Sequence, residues 1–472
     1  MTARTCQSVS HKHTLNQFRR NPQRRYESLS RTELEGYQGQ ILHHLQGAGA
    51  KVGSIIRVTS KDGEVFEGAL FPRSEYADQN HICLKMKNGY NIGIHLERAE
   101  KIEVIGEGEK PHFTKPKVTT IHEVLPKVSL VSIGGTIASR VDYRTGAVQP
   151  ALTAEDLTSV VPELGSIAEI DAHILYSELS ENLTTAHWQK IAEETARLIR
   201  GGADGVIIAH GTDTMHYTSA ALSFALQDLP VPVLIVGAQR SSDRPSSDAA
   251  SNLTGGVAIA ARADIASVGV AMHSDMSDRF IVAHRGTRVR KCHTSRRDAF
   301  RSINSPFLAR YDLQTNQIES FDAVSRRDKN RQLSLKPHFD HHANLVRFYP
   351  SFDPALIDSV VANGARGIVL EGTGLGHVSR QCYEPINRAV KQDVPIFMTS
   401  QTIWGRVDMN VYSTGRDLVD IGVVPLEDML SETALVKLMW ALSQTKSRDK
   451  IRETMLHPVA GEVTERTLAE AS

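Results

Sequence analysis

Two threonines stand where hydroxyl chemistry is available. In Gly205-Val206-Ile207-Ile208-Ala209-His210-Gly211-Thr212-Asp213-Thr214-Met215-His216, four apolar, mostly β-branched residues predict a buried strand, and Gly211 lets the chain turn sharply at its end. Thr212 and Asp213 then fall at the strand's C-terminal tip, ahead of a helix predicted over residues 217–228. In an open parallel sheet, ligands bind at this edge. A hydroxyl beside a carboxylate there is a candidate nucleophile or proton relay, although Thr and Asp are also good helix caps. In Lys127-Val128-Ser129-Leu130-Val131-Ser132-Ile133-Gly134-Gly135-Thr136 a second apolar strand runs into Gly-Gly and then a threonine. A threonine hydroxyl is a poor nucleophile at neutral pH and needs a base, a Lys or a His, placed by a third group. His210 and His216 flank Thr212, but a histidine on the strand just before the turn points into the core or sheet and reads as structural.

The two segments resemble the signatures of the asparaginase/glutaminase family, matching Gly-Gly-Thr-Ile-Ala at Gly134 to Ala138 and His-Gly-Thr-Asp-Thr at His210 to Thr214. The resemblance implies that Thr136 attacks the side-chain amide carbon of a small amino acid, giving an acyl-enzyme and free ammonia. Thr212, Asp213 and a lysine would relay protons, and which threonine attacks first stays open. Past Gly237-Ala238-Gln239-Arg240, Asp243 and Asp248-Ala249-Ala250-Ser251-Asn252-Leu253 resemble the family's next block. Val289-Arg290-Lys291-Cys292-His293-Thr294 then fills the lysine's place, so the resemblance implies Lys291. By residue type alone Lys291 is one more cation in the run Arg285, Arg288, Arg290, Lys291, Arg296, Arg297, Arg301. A lysine is a base only when uncharged, which burial and the arginines would favour and Asp213 would oppose. Backbone N–H groups around Gly135 or Gly211 are candidates to hold the oxyanion. Ser180-Glu181-Asn182-Leu183 is similar to the family's Ser-Gln segment that grips the substrate's α-carboxylate and α-ammonium. Here Glu181 replaces Gln, and a cap for a helix at Thr184 is the competing reading. Tyr143 resembles the family's mobile-lid tyrosine.

These residues need elements to hold them. Beyond residue 126 strand and helix patterns alternate, which predicts right-handed βαβ crossovers and a mostly parallel sheet over residues 127–325, then a smaller α/β lobe over 326–460 and a tail at 461–472. Glu371-Gly372-Thr373-Gly374-Leu375-Gly376 lacks dinucleotide-binding spacing and reads as a tight strand-to-helix turn. Ahead of this, residues 1–29 form a basic tail, acid-free through residue 26, that cannot build a core. Ser30-x-x-Glu33 reads as a capping box opening a helix over residues 30–48. Over residues 49–105 the period changes to two, and Asp62-Gly63 and Asn88-Gly89 mark hairpins, which predicts a small SH3-like β-barrel. A Gly-, Pro- and Lys-bearing linker follows at 106–126.

Composition excludes several classes. Lys+Arg and Asp+Glu are 54 each, so the formal net charge is zero, which disfavours a dedicated nucleic-acid binder. Apolar runs are too short to span a bilayer. Cys6, Cys83, Cys292 and Cys382 show no Cys-x-x-Cys spacing, as expected of a reducing, cytoplasmic setting without a metal cluster.

Plain L-asparaginases begin almost at the Gly-Gly-Thr motif, whereas this chain sets a helix, a small barrel and a linker ahead of it. With Lys87-Asn88-Gly89-Tyr90-Asn91-Ile92-Gly93-Ile94 and Ser431-Glu432-Thr433-Ala434-Leu435-Val436-Lys437-Leu438-Met439-Trp440, it looks like the D-subunit family of archaeal glutamyl-tRNA(Gln) amidotransferases. The resemblance implies a glutaminase acting on glutamine or asparagine, with no cofactor in this chain. ATP and Mg²⁺ would be used by a partner E subunit that holds Glu-tRNA(Gln), in a heterotetramer of two D and two E subunits built on a homodimer of this chain. A free-standing L-asparaginase/glutaminase and an RNA-binding adaptor with a vestigial amidase site are the alternatives.

Overall fold

The computed structural model describes residues 34, 37–71, 73, 79–86, 91–107, 125–134, 139–141, 148–150, 161–240, 247–321 and 325–466. The basic tail, the Ser30 capping box, Asn88-Gly89, most of the linker, Gly135, Thr136, Tyr143 and Asp243 lie outside the described residues.

The amino-terminal domain is a five-stranded antiparallel sheet under one helix. Its strands run in the order Asn91–His95, His81–Met86, Val65–Leu70, Ile55–Ser60, Ala99–Gly106. Period-two burial of Ile56, Val58 and Ser60 turns one face onto Ile41 and Leu45 of the helix Gly39–Gly47. At the first hairpin Gly63 takes φ +86°, which its missing Cβ permits.

The catalytic lobe is built on eight strands in the order Ile318–Ser320, Ala309–Asp312, Phe280–Arg285, Val268–His273, Val233–Val236, Gly205–Ala209, Lys127–Ser132, Glu169–Ile174. The last five are mutually parallel, and the first three pair antiparallel. The departure from a fully parallel sheet begins at Phe280, because residues 274–279 are too few to carry a crossover and close a hairpin instead. Helices Thr185–Arg200 and Met215–Ala225 cover one side of the sheet and Ala249–Arg262 the other. Met215–Ala225 ends earlier than its apolar spacing suggests. Leu226 and Gln227 pair instead with Leu335 and Ser334, and Asp228 turns the chain at φ +54°. Ala249–Arg262 seats two glycines against the sheet, where a Cβ on Gly255 would lie 2.5 Å from Ile281 and one on Gly256 2.6 Å from Val236.

The carboxy-terminal lobe is a parallel four-stranded sheet, Ala343–Arg347, Gly367–Gly372, Ile396–Ser400, Val424–Pro425, with helices Ala355–Ala362, Tyr383–Lys391, Ser413–Ile421, Ser431–Gln444 and Arg448–Leu456. After Gly372 the chain makes a tight turn closed by Thr373 against His377, then enters the helix at Tyr383. The lobes are joined by a buried polar seam. Arg288, fully buried, donates to the Asp428 carbonyl (2.7 Å), the Asp428 carboxylate (2.9 Å) and the Gly461 carbonyl (3.2 Å). Thr287 and Ala460 share a hydrogen bond of 3.0 Å, and Thr433 donates to the Thr287 carbonyl.

Candidate active site

Ser132 and Ala209 are register partners at the ends of adjacent parallel strands, so the strands leading to Gly134 and Gly211 end side by side. The edge is packed too tightly for side chains. Gly134 adopts φ +124°, and a Cβ there would lie 1.9 Å from the Glu178 carbonyl. A Cβ on Gly211 would meet the Ser180 side chain at 2.9 Å, and one on Gly237 would meet Met215 at 2.4 Å and Thr212 at 2.9 Å. Glycine at these positions lets three strand-end turns converge.

Lys291 ends the short strand Val289–Lys291, which pairs with Phe300–Ser302 and delivers the ammonium to this edge. Its Nζ lies 2.9 Å from Thr212 Oγ1 and 2.7 Å from Asp213 Oδ1. The Lys291 side chain is 10% exposed and that of Asp213 70%, so the amine sits under the surface while the carboxylate meets solvent. The capping alternative for Thr212 and Asp213 is not what the chain adopts: the N-cap of Met215–Ala225 is Thr214, whose hydroxyl donates to the Ser180 carbonyl at 2.7 Å. Ser180 and Glu181 do not cap a helix either. They form a 3-10 turn, and the next helix is capped by Thr184, which exchanges hydrogen bonds with His187. Ser180 is buried against Gly211, while Glu181 faces solvent.

Both flanking histidines belong to the interior. His210 Nε2 is 2.8 Å from Thr218 Oγ1, and burial depresses its pKa to about 4. Burial, followed by the fields of Arg290 and Lys291, takes His216 to about 4 as well. Each is a neutral ring at physiological pH.

The arginine run around Lys291 is paired off: Arg288 with Asp428, Arg290 with Glu432, Arg296 and Arg301 with Asp298, Arg297 with Asp278. Arg288, Arg290 and Arg297 each meet a different acid, while Arg296 and Arg301 share Asp298. Sequence reasoning missed a further network behind the Gly237 turn. The Asp248 carboxylate accepts from the Gln239 and Arg240 amides, and Asn252 donates to Asp248 (3.0 Å) and to the Gly237 carbonyl (2.9 Å). His273 Nδ1 lies 2.6 Å from Asn252 Oδ1. Asp248 and Asn252 stood in the block singled out by resemblance; nothing in the sequence pointed to His273.

Asp340, His341 and His342 bring donor atoms within 4.8 Å of one another, but the Asp340 carboxylate already receives Arg366 and His342. A cavity of about 890 Å³ between the lobes, lined by Leu226, Arg285, Lys336 and Lys450, opens at the other end of the sheet, away from Thr212.

The chain matches three family models: the asparaginase N-terminal domain over residues 127–325, the glutaminase/asparaginase C-terminal domain over 342–455 and the GatD N-terminal domain over 50–105. It is 49% identical to the D subunit of the glutamyl-tRNA(Gln) amidotransferase from Methanopyrus kandleri, over 91% of this chain and 95% of that protein. With the corresponding D subunit from Pyrococcus abyssi it shares 47% identity over 88% of this chain and 95% of the other. Among solved structures it is similar to the thermostable L-asparaginase of Thermococcus kodakarensis, with TM-score 0.64 and 32% identity over 72% of this chain and all of that one.

Proposed function

The chain belongs to the family of glutamyl-tRNA(Gln) amidotransferase D subunits, and on that premise we propose that it is the glutamine-hydrolysing subunit of this enzyme, supplying the ammonia that converts Glu-tRNA(Gln) to Gln-tRNA(Gln). The observation that carries the chemistry is the Lys291 amine held between the Thr212 hydroxyl and the Asp213 carboxylate, at the strand end beside the one that leads to Thr136.

In the proposed reaction a threonine Oγ, taken as Thr136, attacks the carboxamide carbon of glutamine while its proton passes through Thr212 to a neutral Lys291. The tetrahedral oxyanion is held by backbone N–H groups near Gly135 or Gly211. Collapse breaks the C–N bond, the relay returns the proton to the leaving nitrogen, and ammonia departs from an ester on the threonine. Water, deprotonated by the same relay, cleaves that ester to glutamate and regenerates the hydroxyl. Asp213 orients the Lys291 amine. Exposed Glu181 offers its negative charge to the substrate's α-ammonium, Ser180 grips the α-carboxylate, and Tyr143 closes over the site.

A partner E subunit uses ATP and Mg²⁺ to activate the glutamate on the tRNA and provides most of the tRNA contact, as zero net charge on this chain suggests. A dimer of this chain with two partner subunits forms the assembly in the cytoplasm; no helix among the described residues is long and apolar enough to cross a membrane. The test is ammonia release from glutamine with and without the partner and charged Glu-tRNA(Gln). The expected result is hydrolysis stimulated by both. Strong hydrolysis by the isolated chain, indifferent to either, favours a free-standing asparaginase or glutaminase instead.

A further inference from the structure

Behind the relay stand three fully buried polar side chains, Asp248, Asn252 and His273. Asp248 is the N-cap of the helix Ala249–Arg262, Asn252 lies one turn further along it, and His273 ends the strand Val268–His273. On that strand Ala271 packs with Leu253 and Val257 of the helix, whereas Val270 and Met272 pack on the other side of the sheet. Alternation therefore turns His273 toward Asn252. Polar groups are costly to bury unless they are bonded, so their partners carry the argument.

The Asn252 amide donates to the Gly237 carbonyl at 2.9 Å and to the Asp248 carboxylate at 3.0 Å, which commits both of its hydrogens. Its oxygen is left for His273, so Nδ1, at 2.6 Å, is the ring nitrogen that carries the proton. Asp248 holds the same turn through the Gln239 and Arg240 amides, at 3.1 and 2.9 Å. The turn is pressed against the relay. The point where a Cβ would project from Gly237 lies 2.4 Å from Met215 Cε and 2.9 Å from both the His210 carbonyl and the Thr212 methyl. Thr212 in turn presents Oγ1 to Lys291 Nζ at 2.9 Å. A continuous line of contacts runs from His273 through Asn252, Gly237 and Thr212 to Lys291.

We propose that His273 is a positioning residue for the amidase reaction: its Nδ1–H fixes the Asn252 amide, Asn252 fixes the Gly237 turn, and the turn is the stop that sets Thr212 against Lys291. This rests on the reading of Thr212 and Lys291 as the proton relay. Without that donor the Asn252 amide is free to turn over, and a reversed amide presents its oxygen to the Gly237 carbonyl, which repels it. The turn then loses its tether and Thr212 its backing. Ser180, assigned to the substrate's carboxylate, packs on Gly211 and accepts from Thr214, outside this line, so the loss falls on kcat rather than on KM.

The experiment measures kcat and KM for ammonia release from glutamine by the amidotransferase assembled with its partner subunit. The proteins are wild type, His273→Leu, His273→Asn, Asn252→Ala and Lys291→Ala, with thermal melts on each. His273→Leu fills the space without a donor. His273→Asn carries an amide nitrogen at the place of Nδ1 and gives up the 3.4 Å contact of Nε2 with Asp278. The expected result is a kcat lowered about tenfold to a hundredfold in His273→Leu, the range a small misplacement of reacting groups produces, with KM near wild type. His273→Asn should recover most of that loss even where its melt is as low as that of His273→Leu. Equal losses of kcat in the two variants, losses that fall on KM, or wild-type kcat in His273→Leu overturn the proposal, because a purely structural role lowers the melts without separating a donor from none. If His273→Leu does not assemble, Asn252→Ala cuts the same line one link nearer Thr212: kcat lost with KM kept supports the proposal, and wild-type kcat overturns it. Wild-type turnover in Lys291→Ala instead removes the relay reading itself. Lys291→Ala inactive with His273→Leu fully active removes only the role of His273.

Discussion

Replacing Asp428 by Asn tests the seam that ties the carboxy-terminal lobe to the segment bearing Lys291. Arg288 is fully buried, and its partner's side chain is 1% exposed. The substitution keeps the size of the side chain and the backbone acceptors at positions 428 and 461, but removes the charge facing the guanidinium. The Thr464 amide and hydroxyl, which also bond this carboxylate, lose part of their acceptor. Burial already disfavours the Arg288 cation, and the Asp428 charge is the main influence that offsets it. Breaking a buried pair at one end costs about 3–5 kcal/mol, because the other charge stays desolvated. For a lobe of this size that corresponds to a fall in Tm of about 6–20 °C. Differential scanning calorimetry with limited proteolysis of residues 428–466 measures it. The deficit should be nearly the same in low and high salt, since a buried pair is weakly screened. Arg288→Met with Asp428→Leu should recover most of the loss, as apolar replacements of buried pairs commonly do. A fall under about 2 °C for Asp428→Asn, well below what breaking a buried pair costs, refutes the reasoning.

Three other outcomes are expected. Gly237→Ala should lower both kcat and the melting temperature, because the new methyl meets Met215 at 2.4 Å and the His210 carbonyl and Thr212 at 2.9 Å; wild-type turnover with an unchanged melt would show that the turn tolerates displacement. Gly134→Ala should compromise folding, since both φ +124° and a Cβ 1.9 Å from the Glu178 carbonyl oppose it, and recovery of soluble protein with wild-type Tm would contradict the geometry. His210 and His216, both depressed to about 4 in the folded chain against about 6.5 unfolded, contribute stability that is intact above pH 6.5 and is lost as pH falls toward 4. Each can remove up to about 3 kcal/mol, so urea midpoints should drop through that window, and His210→Gln should flatten the drop.

The two strand–Gly–Thr edges were legible because a run of apolar residues broken by glycine admits few structures other than a buried strand and a turn. The helix Ala249–Arg262 was not, since Gly255 and Gly256 lower helix propensity and are there only because the sheet approaches so closely. The helix start at Thr184 was legible, but its capping box was not, because His187, rather than Glu or Gln, closes it. Lys291 could be picked from its neighbours only by resemblance. What distinguishes it is its contact with the Thr212 hydroxyl, whereas the nearest arginines, Arg288 and Arg290, meet Asp428 and Glu432, both about 140 residues away in sequence. Such pairing depends on how the lobes dock, and local periodicity carries no trace of it.

The hydrogen bonds from Thr287 and Arg288 to Ala460 and Gly461 span 173 residues of chain. A ribosome adding about 5–20 residues per second makes the catalytic strand many seconds before the segment that braces it. Nascent chains would thus carry the segment bearing Lys291 before the residues that brace Thr287 and Arg288 exist. Whatever a partner contributes later, the brace on the segment bearing Lys291 can close only once residue 461 has left the ribosome.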